Sequence, residues 1–328
     1  MSKEKESEKG IMKEKKKNTI FIVLCVVSFF VSFIVGALVC VQITGSLPQR
    51  LVKVKWDDSV GKQYKNLDYV NDGGHKFDFY IPTKVSTDAN LILYIHGGSF
   101  NSGSKEDGDL WCKYFTSKGY VTATLDYTLQ KKGVDANLNK LDLQIKNCVA
   151  AIKEECLNMG ITLNGMATCG VSAGGTLAMN YAYKHDKDSV IPVKFVFQLA
   201  GPSDFTPSEW NLLKKVDKIE SDSEFIKWMT GKNFSSEEIA EGKHFTALHE
   251  ISPASLVNAD SVPSLVGYGL KDHCVPHSSR TLLLAAYKSA GIKYDYVEFP
   301  HSNHGMYADL DKLQLFLDTA IDYCKLYF

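Results

Sequence analysis

The chain has 328 residues, 45% of them hydrophobic and 23% charged, which is ordinary globular usage and excludes disorder or low complexity as a description of the whole. Lysine plus arginine number 37 against 38 aspartate plus glutamate, and a formal charge of -1 gives no broad attraction to nucleic acid. Eight cysteines are too sparse for a disulfide-stapled miniprotein, and no CxxC pair or Cys/His cluster has zinc spacing, so nothing in the sequence demands a metal.

Residues 1–19 carry seven lysines (Lys3, Lys5, Lys9, Lys13, Lys15, Lys16, Lys17) against four glutamates, the pattern of a solvated basic tail. From Ile20 to Val41 come twenty-two residues without a charge, broken only by Ser28, Ser32 and Gly36. At 1.5 Å per residue a helix of that length reaches about 30 Å, the thickness of a bilayer's hydrocarbon core. Beside a lysine cluster the run reads as a transmembrane segment, residues 20–42, rather than a buried core helix. A cleaved signal would have an apolar region of about 7 to 15 residues ahead of a small-residue site. This run is longer, Ile43-Thr44-Gly45 is a poor cleavage context, and Leu38-Val39-Cys40 puts a bulky valine where a lipoprotein box has a small residue. The expectation is an uncleaved, single-pass anchor: tail in the cytoplasm, residues 46–328 outside it. Six cysteines lie in that outer part (Cys112, Cys148, Cys156, Cys169, Cys274, Cys324), enough for up to three bridges, although small buried hydrophobes is the simpler role. Its one glycosylation sequon is Asn233-Phe234-Ser235.

Past the anchor, short β-rich runs alternate with longer helical patterns, which predicts a mostly parallel sheet of about eight strands covered on both faces. Strands are expected near 52–56, 76–81, 91–95, 121–126, 167–171, 194–199, 264–268 and 293–299, with helices over 108–118, 138–157, 173–184, 278–290 and 310–327. In the second helix Leu141, Ile145, Cys148, Ala151 and Ile152 make one apolar face, a packing stripe. About sixty residues, richer in charge and in Trp, Phe and Lys, separate the strands ending near Leu199 and starting near Ser264. They hold two helical stretches, 209–216 and 223–229, and read as a cap insertion, 203–262, over the carboxyl edge of the sheet.

Gly170-Val171-Ser172-Ala173-Gly174-Gly175 follows one predicted strand and opens a helix. A serine at so tight a turn needs small neighbours two residues away on each side, and Gly170 and Gly174 satisfy that. His96-Gly97-Gly98-Ser99-Phe100 ends another strand, where glycines let backbone N–H groups point at an oxyanion; a Gly-Gly turn beside a structural histidine is the plainer alternative. A serine nucleophile also needs a base and a carboxylate to orient it. Asp272, in Gly269-Leu270-Lys271-Asp272-His273-Cys274-Val275-Pro276, follows the strand near 264–268. Pro300-His301-Ser302-Asn303-His304-Gly305 follows the last strand and offers two bases. His304 is preferred because Gly305 is expected to open the final helical region and turn the loop inward, whereas His301 sits against Pro300. His96 and His273 are read as structural, and the remaining histidines as surface or packing groups.

The order of an oxyanion loop, Ser172, Asp272 and His304, each after a predicted strand, is the order of the α/β-hydrolase superfamily. From about Lys65 to the C-terminus the chain resembles its esterase and lipase branch: hormone-sensitive-lipase-like carboxylesterases and the bacterial acetyl-xylan and feruloyl esterase relatives. The HGGSF loop, Gly119-Tyr120-Val121 through Leu125-Asp126-Tyr127, GVSAGG, Ile251-Ser252-Pro253, GLKDHCVP and HSNHG carry the likeness. The resemblance implies an α/β-hydrolase fold, attack by Ser172, proton transfer through His304 Nε2 and orientation of His304 by Asp272. It further implies an oxyanion hole from the N–H groups of Gly98, Ser99 and Ala173, no cofactor or metal, and a small ester with a short acyl chain as substrate. Three features depart from the pattern: Ser99 replaces a glycine, Thr128 stands where many relatives carry an arginine after Asp126-Tyr127, and the anchor is not general. Two other readings compete. One is an extracytoplasmic peptidase or amide hydrolase of the same fold, for which residues 46–75 are too few to form the usual extra domain of the prolyl oligopeptidase group. The other is a non-catalytic adhesion-type surface protein, which would typically have lost the nucleophile or histidine.

Overall fold

In the computed structural model, residues 54–328 are described except 71, 73 and 217, together with Ser28 alone among the earlier ones. Every element named here belongs to the unit Val52–Phe328. The expected tail and membrane segment fall, Ser28 apart, outside the described residues. Among the described residues no helix is long and apolar enough to cross a membrane.

Eight strands form one sheet: β1 (Gly61–Asp68), β2 (Lys76–Pro82), β3 (Asp88–Ile95), β4 (Val121–Leu125), β5 (Thr162–Val171), β6 (Val193–Leu199), β7 (Ser264–Gly269) and β8 (Tyr294–Phe299), in the order β1-β2-β4-β3-β5-β6-β7-β8. The pairs β1–β2 and β2–β4 are antiparallel; the other five are parallel. The central strands read as unbroken apolar runs because both faces are covered: residues 91–95 of β3 and 121–125 of β4 are all buried. Neighbouring side chains then serve opposite layers. Val196 joins a cluster with Leu91, Leu93, Leu177 and Leu283, while the adjacent Phe197 packs against Phe115 and Phe316. Burial of a side chain such as Phe197 contributes about 1.5–3 kcal/mol.

Five longer helices supply those layers: α1 (Asp109–Ser117), α2 (Leu138–Asn158), α3 (Ala173–Lys184), α9 (His277–Ala290) and α10 (Leu310–Tyr327), each within two residues of its expected bounds. In α2 the Asn137 side chain accepts from the Lys140 amide as an N-cap, and the predicted stripe is buried save for the half-buried Ala151. Helix α3, which leads directly out of the serine turn, is buried from Ala173 to Tyr183. The insertion contains α4 (Asn211–Val216), α5 (Asp222–Thr230), α6 (Ser236–Ala240), α7 (Phe245–His249) and α8 (Pro253–Leu256). The last three are only four or five residues long, too short for a 3.6-residue period to show in the sequence.

The first strand lies elsewhere than expected. Residues 54–56 are irregular, with Trp56 set edge-on to Tyr80 at 5.9 Å, and the edge strand is Gly61–Asp68. A bulge between Tyr64 and Leu67, with Asn66 at φ 58°, breaks its alternation, and exposed Lys62 and Lys65 give it the polar look of an edge.

Candidate active site

Ser172 stands between the last residue of β5 and the first of α3 with φ 57° and ψ -128°, a backbone conformation that costs about 1–3 kcal/mol and persists only where packing enforces it. The enforcement is visible around it. A Cβ on Gly170 would come 2.5 Å from the Gly174 carbonyl group, and one on Gly174 would fall on the Ile95 carbonyl oxygen. Both glycines are therefore required by close approach of β3 and α3. The Ser172 amide donates to Leu199 O at 2.8 Å and is occupied, whereas Ala173 is the first residue of α3, where an amide has no acceptor within the helix.

The loop after β3 brings the other amides. Gly98 (φ 104°), Ser99 (φ 52°) and Phe100 (φ 64°) all take left-handed backbone, and the Asn101 and Ser102 amides both close onto Gly98 O, at 3.0 and 2.9 Å. Behind them His96 is fully buried, stacked on Tyr127 at 4.0 Å with its Nδ1 bonded to Gly97 O, while Tyr127 Oη donates to His96 O. Burial pushes the His96 pKa down against the pull of that bond and the nearby carboxylates, so the ring is a neutral support.

From the loop after β7, Asp272 accepts the Cys274 and Val275 amides on Oδ1 (2.8 and 3.1 Å) and the His304 Nδ1–H on Oδ2 (2.7 Å). Burial opposes its charge, yet the His304 bond, the His304 charge and the two amides outweigh that and hold the carboxyl below its ordinary range. A cavity of about 500 Å³ has Ser172, Ala173, Gly98, Ser99 and His304 on its wall. Asp272 stands behind His304, with only 5% of its side chain exposed. The six residues singled out in the sequence thus meet at the carboxyl edge of the sheet.

His304 does not owe its place to the start of a helix, as the sequence suggested. Gly305 opens no helix: the turn closes through the Met306 amide on Asn303 O, Met306 itself has φ 58°, and α10 begins at Leu310. His301 is engaged elsewhere, its Nδ1 bonded to Asp309 at 2.7 Å. The cysteines Cys112, Cys148, Cys156, Cys169 and Cys324 are free and buried, and Cys274 is free and exposed. Cys274 lines the cavity, and its ligand atom lies within 4.8 Å of those of Asp272 and His304, a set able to share a cation. Where an arginine was missed, Thr128 Oγ1 instead bridges His75 Nε2 and Gln144 Nε2, both at 2.8 Å. The cavity's outer wall, Trp210 and Leu213 of the insertion and Tyr307, carried no motif.

A family model described as BD-FAE matches residues 77–287, more than half the chain. The chain belongs to the BD-FAE family. The match runs from β2 into α9 and takes in the oxyanion loop, Ser172 and Asp272, while His304 lies beyond its end. Curated relatives of this BD-FAE protein include a kynurenine formamidase of Salmo salar, 31% identical over 144 residues (43% of this chain, 47% of that one). An acylamino-acid-releasing enzyme of Arabidopsis thaliana is 24% identical over 249 residues (72% and 30%). The chain spans about half the length of the formamidases it matches, and less of the Arabidopsis enzyme. Among solved structures, a truncated carbohydrate esterase from gut microbiota has a TM-score of 0.62 at 19% identity, covering 82% of this chain and 98% of that one. An inhibited esterase B of Lactobacillus rhamnosis has a TM-score of 0.65 at 14% identity, covering 90% and 96%. At these identities the structures establish the α/β-hydrolase fold of the BD-FAE chain.

Proposed function

We propose that the chain is a serine hydrolase of small carboxylic esters with short acyl chains, anchored by residues 20–42 with its catalytic unit outside the cytoplasm. The observation that carries the chemical part is the 2.7 Å bond from His304 Nδ1 to Asp272, made by a histidine that shares a cavity wall with Ser172 and the oxyanion loop. That bond fixes the tautomer that leaves Nε2 able to accept a proton.

In the reaction Ser172 Oγ attacks the carbonyl carbon as its proton passes to His304 Nε2. The carbonyl oxygen, now anionic, takes the N–H groups of Gly98, Ser99 and Ala173, each such donor being worth about 10²–10³ in rate. Collapse breaks the bond to the alcohol, which leaves with the proton from His304. Water then attacks the acyl-enzyme, gives its proton to the same nitrogen, and the acid departs as Ser172 regains its hydrogen. Asp272 compensates the imidazolium charge at each step.

Steady-state rates of the full chain in detergent on p-nitrophenyl esters from acetate to palmitate test this reading. It expects the highest kcat/KM at two to four carbons and none above background with Ser172→Ala. Preference for long chains would overturn the acyl-length assignment, and unchanged rates in Ser172→Ala would overturn the nucleophile. Accessibility of a C-terminal tag to protease added outside intact cells tests the anchor and its orientation.

The formamidase relatives favour a second reading, hydrolysis of a small amide by the same steps, with an amine leaving in place of the alcohol. Measured side by side, p-nitroacetanilide turned over faster than p-nitrophenyl acetate would select it.

A further inference from the structure

A second and larger cavity, about 710 Å³, lies beside the oxyanion loop, and its wall is chemically unlike that of the first. Four lysines reach it, Lys131, Lys132, Lys218 and Lys227, and none has an ion-pair partner among the described residues. Two carboxylates share the wall: Asp135 pairs with Lys140, while Glu224, which accepts the Glu220 amide at 2.8 Å, keeps its charge, one against the four lysines. An excess of positive charge is therefore left around a concave surface. Gln130 also lines the cavity and is only 2% exposed. Its Nε2 donates to Trp228 O at 2.8 Å, while its Oε1 is buried with no partner, a costly state for an amide oxygen unless a ligand supplies a donor. Half-buried Trp228, on the same wall, adds an apolar ring.

We propose that this cavity binds an acidic sugar ring, a uronate, with its carboxylate among the four lysines, a hydroxyl donating to Gln130 Oε1 and a C–H face against Trp228. Negative charge, a hydrogen-bond donor and an apolar face are what these three features require together, and a uronate supplies all three. The site is separate from the esterase reading, since no residue of the proposed serine centre lines it. The two are nevertheless adjacent: Asn101 lines this cavity and Phe100 the first, and the Gln130 amide donates to Phe100 O at 2.8 Å. A ligand here would lie against the segment that carries Gly98 and Ser99.

Calorimetric titration of the full chain in detergent with trigalacturonate, maltotriose and inorganic phosphate tests the proposal without reference to turnover. Trigalacturonate is expected to bind at least about tenfold more tightly than maltotriose and to weaken as salt is raised. The doubly substituted Lys131→Gln/Lys132→Gln protein, altered only at exposed positions, is expected to lose about tenfold in affinity, and Trp228→Phe a smaller factor. Circular dichroism of each variant establishes that it is folded. No heat with trigalacturonate up to millimolar concentration overturns the site, as does equal affinity for maltotriose or an unchanged affinity in the folded lysine variant. Phosphate binding as tightly as trigalacturonate, with Trp228→Phe silent, would reduce it to a patch of charge and overturn the sugar assignment.

Discussion

Two histidines three residues apart on the loop between β8 and α10 each donate from Nδ1 to an aspartate at 2.7 Å. By bond length alone they cannot be told apart. Their surroundings differ completely. The His304 side chain is 26% exposed and on the wall of the cavity that holds Ser172, whereas His301 is 72% exposed and edges an outer cleft with Lys271 and His273. Asp272 is held by loop amides so that its second oxygen can face His304. Asp309, at the N-cap position of α10, accepts the His301 amide and the Ser302 hydroxyl, tying the loop to the start of the helix. A His–Asp pair alone therefore does not tell a base from a fastening; what separates His304 from His301 is the cavity wall it shares with Ser172 and Gly98.

The sharpest way to break this contrast is to remove each partner in turn. Ser172→Ala and His304→Ala are each expected to lower kcat on a p-nitrophenyl ester by about a thousandfold or more, since the two act as one unit. His301→Ala should stay within about twofold. Comparable losses in the two histidine variants would erase the distinction.

Next in size is the carboxylate pair. Asp272→Asn is expected to cost about 10²–10⁴ in kcat with little change in KM, because the amide cannot compensate an imidazolium and favours the wrong tautomer. Asp309→Asn should leave kcat within a few-fold while lowering Tm by several degrees, as the loop loses its tie to α10. The reverse assignment of the two effects, read from kinetics and thermal melts on the same preparations, would exchange the roles.

A smaller effect appears in acid. Burial works against the charge on Asp309, but its bonds from Ser302 and His301 hold its pKa down to about 2. A carboxylate depressed by folding stabilises the protein above its unfolded pKa of about 3.9, and the contribution disappears as pH falls through the folded value. Wild type should accordingly lose stability between about pH 4 and pH 2 more steeply than Asp309→Asn, measured by urea unfolding at each pH. Parallel profiles would mean that Asp309 is not held ionised.

What the sequence revealed depended on how densely a segment is buried. Strands β3 to β7 were recognisable because sheet partners and helices on both faces require apolar residues almost without interruption, as at residues 91–95. The serine turn was recognisable because close backbone approach leaves glycine little competition at 170 and 174. Edge strand β1 was hidden by its bulge and its lysines, and the short helices of the insertion by their length. His304, not His301, pairs with Asp272, and Gly305 has no part in this, since it starts no helix: the pairing is settled by where two distant loops converge. The wall formed by Trp210, Leu213 and Tyr307 was illegible for the same cause: no local pattern records which side chains from separate segments will enclose one space. The fully buried ion pair of Lys105 with Asp78, 3.3 Å apart, likewise has no counterpart in any spacing of the sequence.

Activation of Ser172 by His304, itself oriented by Asp272, can be read out by reacting the full chain with a fluorophosphonate probe and mapping the adduct by peptide mass spectrometry. A single adduct on Ser172 is expected, absent from Ser172→Ala and formed at least about a hundredfold more slowly in His304→Ala. An adduct on another residue, or labelling of the His304→Ala protein at the wild-type rate, would contradict it.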